Sequence, residues 1–100
     1  MPYEEKKKHI NYTETPLVSV ITPSYNSAAF LSECIQSVLQ QTYTHWEQII
    51  VDDASTDTSV EIAQNLADKD ARIKVIQLSE NKGAAFCRNK ATETAQGDYI

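Results

Sequence analysis

Glycine is scarce in this 100-residue chain, which has two glycines, three prolines and two cysteines. This composition excludes collagen-like and low-complexity chains. Cys34 and Cys87 cannot build a disulfide framework and lack the spacing of metal ligands. No apolar run approaches the ~20 residues of a membrane span, and no signal peptide opens the chain. These absences favour a cytoplasmic protein without structural disulfides.

Charge and composition indicate one small acidic domain. Apolar residues make up 41% of the chain, charged residues 23%, and the net charge is −5. Residues 1–16 show no periodicity, so we expect a flexible leader there and a folded domain over residues 17–100. An acidic body without a basic stripe argues against nucleic-acid binding, although single anionic ligands can still be held locally.

Strand and helix patterns alternate along the domain. Short runs rich in β-branched residues predict strands, and longer stretches with one apolar face predict helices. The order is βαβαβαβ, with a fourth strand beginning at Asp98–Ile100, which predicts a Rossmann-like parallel sheet with helices on both faces. The residues that predict these strands and helices, alternating from the first strand, are Leu17–Ile21, Phe30–Leu39, Glu47–Val51, Val60–Ala67, Ile73–Ile76 and Ala84–Ala95.

Several side chains receive specific places in this scheme. The apolar stripe of the first helix includes Phe30 and Cys34, and the small inner face of the third helix includes Ala84 and Cys87. Neither cysteine is assigned a nucleophilic role, because both are interpreted as core residues. Gly97 is interpreted as the glycine that ends the third helix. Asn26 or Ser27 is the expected N-cap of the first helix, and Thr58 with Glu61 is a candidate capping box for the second.

Ligands of parallel α/β sheets bind beside the carboxyl ends of the strands, which selects the loops 22–27, 52–57 and 78–83. Asp52 and Asp53 follow a buried strand, and they either bind a ligand or cap the next helix. The first loop has no glycine, which excludes a dinucleotide fingerprint and a P-loop. Tyr25 in that loop offers a face for a base, or else packs over the helix start.

Phosphates would then need another partner. Lys82, Arg88 and Lys90 lie around the start of the third helix, whose N-terminus is itself positive, but they also fit an ordinary solvated face. The other common solution is a divalent metal held by carboxylates. No second acidic cluster follows Asp98 before the sequence stops at Ile100.

Four motifs resemble, in order and spacing, the amino-terminal part of family 2 glycosyltransferases. The resemblance covers residues 17–100, and Ala54 departs from the glycine common in the second motif without an expected consequence for chemistry. The motifs are Val18-Ser-Val-Ile-Thr-Pro-Ser-Tyr-Asn26 with Ser37-Val-Leu-Gln-Gln-Thr42, Trp46-Glu-Gln-Ile-Ile-Val-Asp-Asp-Ala-Ser-Thr-Asp57, Asn81-Lys-Gly-Ala-Ala-Phe-Cys-Arg-Asn89, and Gly97-Asp-Tyr-Ile100.

The resemblance implies an inverting enzyme of GT-A fold that uses a nucleotide-sugar donor, often a uridine diphosphate sugar. By this resemblance Tyr25 lies against the base. Asp53 accepts a hydrogen bond from the pyrimidine ring N–H, with Asp52 beside it, and Pro23 lines the base pocket.

The resemblance gives two further residues a place on the other side of this pocket. Lys82 matches a position that approaches the base or the phosphates, and Arg88 lies in the motif that shapes this side. The acceptor would be a saccharide or another hydroxyl compound.

In the family a D-x-D metal motif follows the fourth strand, and the catalytic base lies farther along. Both are expected beyond Ile100, so the complete enzyme would use Mg²⁺ or Mn²⁺. The present chain is predicted to hold no metal, to contain no catalytic residue and to be inactive alone. The alternative is a non-catalytic nucleotide-binding module, or one that self-associates through an exposed sheet edge. The full-length protein would be cytoplasmic or peripheral at the inner face of the membrane.

Overall fold

A computed structural model describes residues 16–99. The predicted leader, apart from Pro16, and Ile100 lie outside the described residues. Three strands and three helices alternate along the chain, as the sequence patterns predict. They are β1 (Val18–Ser24), α1 (Ala28–Gln40), β2 (Trp46–Asp52), α2 (Ser59–Lys69), β3 (Ile73–Gln77) and α3 (Ala84–Thr94).

The three strands form a parallel sheet in the order β1-β2-β3. In register, Val18 pairs with Trp46 and Ser24 with Asp52, while Gln48 pairs with Ile73. In the described residues the predicted fourth strand is a single parallel bridge between Val18 and Tyr99. This bridge lies on the free side of β1, so the chain reverses its direction across the sheet at β1. Such a reversal is the switch point beside which α/β sheets bind ligands.

Two hydrophobic clusters cover the two faces of the sheet, which confirms helices on both sides. The first joins the sheet to α1 and α2, and the second joins it to α3. Their buried members are, in the first, Leu31, Ile35, Trp46, Ile50, Ala63 and Ile73, and in the second, Ile49, Val51, Cys87, Ala91 and Ala95. All seven residues of β2 are buried because this strand lies at the centre of the sheet.

The structure corrects several predictions about single side chains. Phe30 is 72% exposed and Cys34 is exposed, so neither belongs to the core. Ala84 is also exposed, whereas Cys87 is fully buried as expected. β1 continues through Pro23 to Ser24, where a loop was predicted. A proline is tolerated there because β2 is the only strand beside this part of β1 within residues 16–99.

The predicted N-cap positions of α1 and α2 are confirmed, but their capping hydrogen bonds and the predicted end of α3 are not. Ser27 and Thr58 occupy the N-cap positions of α1 and α2, but neither side chain makes a capping hydrogen bond. Helix α3 ends at Thr94 with Ala95 as its C-cap, so Gly97 does not end the helix. A Cβ atom at Gly97 would lie 2.3 Å from Ser19 Oγ and 2.8 Å from the Ser19 backbone nitrogen. This residue is therefore a glycine because the chain passes against β1 there.

A buried carboxylate at Glu47 holds this passage together. Its oxygens accept hydrogen bonds from Lys74 Nζ at 2.8 Å, Ser19 Oγ at 2.6 Å and the Gln96 backbone N–H at 2.6 Å. Ser19 Oγ in turn accepts the Gly97 N–H at 2.9 Å. Burial raises the pKa of Glu47, but the bonds from Lys74, Ser19 and Gln96 outweigh burial and lower the pKa below 4.5.

We expect Glu47→Gln to lower the free energy of unfolding at pH 7 by roughly 1–3 kcal/mol, because an amide cannot accept all these bonds. A depressed carboxyl pKa stabilises the fold above the unfolded pKa, and this contribution disappears as pH falls through the folded value. As the pH falls below about 5, into the range of carboxyl titration, the free energy of unfolding should therefore decrease less in the variant than in the parent chain.

Urea unfolding across that pH range measures both effects. Glu33→Gln, at an exposed position of α1, is the matched control and should change neither. Parallel acid profiles for the parent chain and Glu47→Gln would contradict the role assigned to this carboxylate.

Candidate nucleotide site

The carboxyl ends of β1 and β2 meet at one edge of the sheet. Asp52 is the last residue of β2, and the Asp53 N–H donates to the Ser24 carbonyl at 2.8 Å. Ser24 is buried, and its hydroxyl has no hydrogen-bond partner within residues 16–99. The next residue, Tyr25, is 50% exposed. This edge therefore carries a half-exposed tyrosine in the loop after β1 and two adjacent carboxylates at the end of β2 and just after it.

The two aspartates point to different neighbours. Asp52 accepts from both the backbone N–H and the hydroxyl of Ser55, at 2.9 and 2.7 Å. Asp53 accepts the N–H groups of Lys82 and Gly83, at 2.6 and 2.9 Å, directly before α3. Both side chains are buried. Asp52 thus shapes its own loop, and Asp53 joins the loop after β2 to the loop after β3.

Asp53 also sets the electrostatics at the start of α3. Two N–H groups that precede this helix are paired with its carboxylate, so part of the positive helix end is already neutralised. Burial, followed by the charge of Asp53, raises the pKa of the Cys87 thiol. Cys87 is consequently protonated at neutral pH and is unsuited to nucleophilic attack.

The predicted basic residues lie on the surface of α3 and the loop before it. Lys82 Nζ pairs with Glu80 at 2.8 Å and lies 5.7 Å from the ring centre of Phe86. Arg88 is exposed in α3, and no ion pair joins it to Asp52 or Asp53 within residues 16–99. The structure thus connects Lys82, through its backbone, to Asp53 but does not bring Arg88 into the same contacts.

Pro23 has a different environment from the loop position that the sequence predicts. It is half-buried within β1 and pairs with Val51 of β2. It remains near the carboxyl end of the strand, one residue before Ser24. The backbone at this position is therefore fixed by the sheet and not by a loop.

Sequence reasoning missed an interlock between the loops after β1 and β2. The Asn26, Ser27 and Ala28 N–H groups donate in turn to Ser55 Oγ, Ser59 Oγ and Asp57 Oδ2. The density of serine, threonine and aspartate in the second loop was the available signal. Residues of this kind cap helices, but here their side chains also accept hydrogen bonds from the other loop.

An apolar cavity of about 500 Å³ lies at the opposite ends of the strands. Its lining includes Val18, Val20, Val38 and Trp46. It is far from the carboxyl ends of the strands and has few polar groups to orient a nucleotide. The edge that carries Tyr25 and Asp53 is therefore the stronger candidate for the functional site.

Together the fold and this edge define the class of protein: a Rossmann-like α/β half-domain whose ligand edge lies beside a switch point. The chain belongs to glycosyl transferase family 2, whose sequence profile matches residues 19–100. This finding confirms the resemblance carried by the four motifs.

Individual relatives agree with the family. The Bacillus subtilis (strain 168) glycosyltransferase TuaG, whose assignment to teichuronic acid biosynthesis is itself inferred, is 55% identical over 85 residues. The Escherichia coli UDP-Glc:alpha-D-GlcNAc-diphosphoundecaprenol beta-1,3-glucosyltransferase WfgD is 45% identical over 84 residues. These matches cover 85% and 84% of this chain but 34% and 32% of the relatives. The chain thus spans about a third of their length.

Solved structures show the same architecture and establish the GT-A fold. The mannosyltransferase PcManGT from Pyrobaculum calidifontis, in complex with GDP-Man and Mn²⁺, matches with a TM-score of 0.77 and 28% identity. The match covers 97% of this chain and 28% of that one. S. aureus TarS 1-349 in complex with UDP matches with a TM-score of 0.72 and 31% identity, over 83% of this chain and 25% of that one.

Ala54, directly after Asp53, has an unfavourable backbone conformation. Its φ of +58° lies in the left-handed region, which a side chain disfavours and glycine tolerates. We expect Ala54→Gly to raise the free energy of unfolding by about 0.5–1 kcal/mol, because the relief of strain exceeds the entropy that glycine adds to the unfolded chain. Urea unfolding at neutral pH measures the change.

Ala29→Gly is the control: it is the same substitution, but it should change the free energy of unfolding in the opposite direction. Ala29 is exposed and helical, in α1, so glycine should destabilise the chain there. Destabilisation by Ala54→Gly as well would show that the residue at this position is not strained.

Proposed function

We propose that this chain forms the donor-nucleotide half of an inverting glycosyltransferase. The whole enzyme transfers a sugar from a nucleotide-diphosphate donor, UDP-linked, to a saccharide or other hydroxyl acceptor. The observation that carries the proposal is that the half-exposed Tyr25 lies at the same edge of the sheet as Asp52 and Asp53. The solved relatives in complex with UDP, with UDP-GlcNAc and with GDP-Man support a nucleotide-sugar donor.

In this proposal the base lies on Tyr25, and the ring N–H donates to Asp53. Each carboxylate oxygen can accept more than one hydrogen bond, so Asp53 keeps capacity beside its bonds to Lys82 and Gly83. Pro23 lines the pocket, and Asp52 supports the loop from behind through Ser55. The residues of this edge therefore bind and orient the donor and exclude water from its base.

Lys82 and Arg88 are the proposed partners of the diphosphate. Lys82 is exposed on the same loop whose backbone Asp53 holds, so its ammonium group can leave Glu80 for a phosphate. Arg88 is farther along α3 and reaches the diphosphate only from the side of the pocket. The body of the protein is acidic, which makes these two cations the main electrostatic contribution of this half.

The residues described here do not fit a metal site. No group of three His, Cys, Asp or Glu side chains within residues 16–99 could hold an ion. Asp52 and Asp53 bind different segments, Ser55 and the loop before α3, so their carboxylates do not form a shared pair of metal ligands. The divalent metal proposed for the complete enzyme, Mg²⁺ or Mn²⁺, therefore has no assigned ligand in this part of the chain.

Other parts of the proposal concern the whole protein. We place no catalytic residue within this chain, so the chain alone is proposed to bind the donor without transferring sugar. No helix in residues 16–99 is long and apolar enough to cross a membrane. The proposed location is the cytoplasm or the inner face of the membrane, where an acceptor could be reached.

Tyr25→Ala should weaken uridine binding by about 1–3 kcal/mol, because a stacked base loses its aromatic platform. Isothermal titration with uridine and UDP measures the effect. Tyr43→Ala is the matched control, since Tyr43 lies beside the distant apolar cavity. Equal affinities for the parent chain and Tyr25→Ala would show that the ring packs over the helix start instead.

Asp53 is tested most directly by changing the ligand. The unmodified chain should bind uridine about 1–3 kcal/mol more tightly than N3-methyluridine, which has no ring N–H to donate. Asp53→Asn should remove most of this discrimination while affecting pyrophosphate less. Calorimetry with the three ligands gives these comparisons.

Asp68→Asn is the control for the charge change, because Asp68 is exposed on α2 and bonded to Gln64. It should preserve the discrimination. Equal losses of uridine and pyrophosphate in Asp53→Asn would instead make Asp53 a phosphate-side residue. Tighter binding of guanosine than of uridine would change the proposed donor class.

A further inference from the structure

Three consecutive backbone N–H groups follow Tyr25, and side chains from the neighbouring loop accept all three. Asn26 N–H donates to Ser55 Oγ at 2.9 Å, and Ser27 N–H donates to Ser59 Oγ at 2.8 Å. Ala28 N–H donates to Asp57 Oδ2 at 3.1 Å. The segment that carries Tyr25 into α1 is thus held by the loop after β2 and the start of α2.

Two of the accepting hydroxyls are themselves fixed by carboxylates. Ser55 Oγ donates to Asp52 Oδ1 at 2.7 Å, and Ser59 Oγ donates to Asp57 Oδ1 at 2.5 Å. A hydroxyl whose proton is committed to a carboxylate keeps its lone pairs for an incoming N–H. Each serine therefore connects an aspartate to the backbone after Tyr25 through two hydrogen bonds.

The loop after β1 also accepts a hydrogen bond from the loop after β2. Asn26 Oδ1 accepts the Thr56 N–H at 2.8 Å. Asn26 has a φ of +46°, in the left-handed region that asparagine tolerates better than most residues. The backbone turn after Tyr25 is therefore unusual, and contacts from both loops determine it.

These contacts leave the Tyr25 ring itself exposed while fixing the chain on its carboxyl side. An exposed ring on a free loop would sample many directions and would lose that freedom on binding a base. We infer that Ser55, Asp57 and Ser59 are positioning residues that hold Tyr25 in place for a nucleotide base. This inference rests on the proposed function, because it assigns the base to Tyr25.

The first test needs no ligand. Hydrogen exchange of the Ser27 and Ala28 amides, whose acceptors are Ser59 and Asp57, should accelerate roughly three- to tenfold in Asp57→Asn, the factor expected for a weakened hydrogen bond. Asp57 is exposed, so this substitution should leave the fold intact. Asp68→Asn, the exposed control on α2, should leave these rates unchanged. Exchange in Asp57→Asn that matches the control would overturn the inference.

The second test measures coupling to Tyr25. Ser59→Ala and Asp57→Asn should each weaken uridine binding roughly three- to tenfold and leave pyrophosphate binding unchanged. In a Tyr25→Ala background the same substitutions should have no further effect on uridine, since the ring that they position is gone. Additive losses, or equal losses for uridine and pyrophosphate, would indicate general loosening and overturn the inference.

A buried serine can be needed for folding, and Ser59 is fully buried. Ser55→Ala and Ser55→Thr therefore form a second pair at the half-buried Ser55, where threonine keeps the hydroxyl and should restore uridine affinity. Failure of threonine to restore what alanine loses would contradict the role of the hydroxyl.

The two tests separate this inference from the proposed function. Faster loop exchange in Asp57→Asn together with unchanged uridine affinity in Tyr25→Ala would overturn the assignment of the base to Tyr25. The anchoring of the loop would stand in that case.

Discussion

The Glu47 carboxylate is the interaction on which the arrangement of the sheet and α3 depends. It lies on the central strand, where water cannot solvate it, so each of its oxygens needs donors from the protein. Those donors come from β1, from β3 and from the chain after α3. One buried charge thus fixes three separate segments relative to β2. Hydrophobic burial alone would be less selective, because apolar contacts tolerate sliding.

Carboxylates organise the ligand edge in the same way. Glu47 and Asp53 project from one face of β2, Glu47 toward the end of α3 and Asp53 toward its start. Asp52 and Asp57 lie on the other side and fix the loop after β1 through two serines. These four carboxylates therefore accept hydrogen bonds that hold the fold together. The net charge determines the electrostatic potential far from the protein, but it does not describe the local groups at the carboxyl ends of the strands.

The sequence predicts the element order, the parallel sheet and the two-sided burial, because short runs rich in β-branched residues alternate with longer helical segments, of which the first two have a clear apolar face. It does not decide which column of a helix faces the sheet. Phe30 and Cys34 form one column of α1, and Leu31 and Ile35 form the next, about 100° around the helix. Both columns are apolar, and only the packing of α1 on the sheet buries the second and exposes the first.

The candidate site was predictable in location and less so in its connections. Parallel topology alone brings Tyr25 and Asp53 to one edge, and family motifs select them. The hydrogen bonds that the Gly83 N–H donates to Asp53 and the Ser27 N–H donates to Ser59 join residues about thirty positions apart. Such contacts depend on the spacing of folded elements, which local residue patterns do not encode. The left-handed backbone of Ala54 is visible only in the structure, so the sequence gives no sign of its effect on stability.

Two segments far apart in the described chain, the start of β1 and the residues after α3, are hydrogen-bonded to each other. Leu17 and Ser19 pair with Asp98 and Tyr99, and Gly97 donates to Ser19 Oγ. β1 is the first strand of the described residues to be synthesised, yet the contacts on its free side come from the last residues described. Until those residues emerge, β1 exposes backbone groups that have no strand beside them. The contacts on this side of β1 therefore form only after residues 97–99 have been synthesised, which is a closure over some eighty residues.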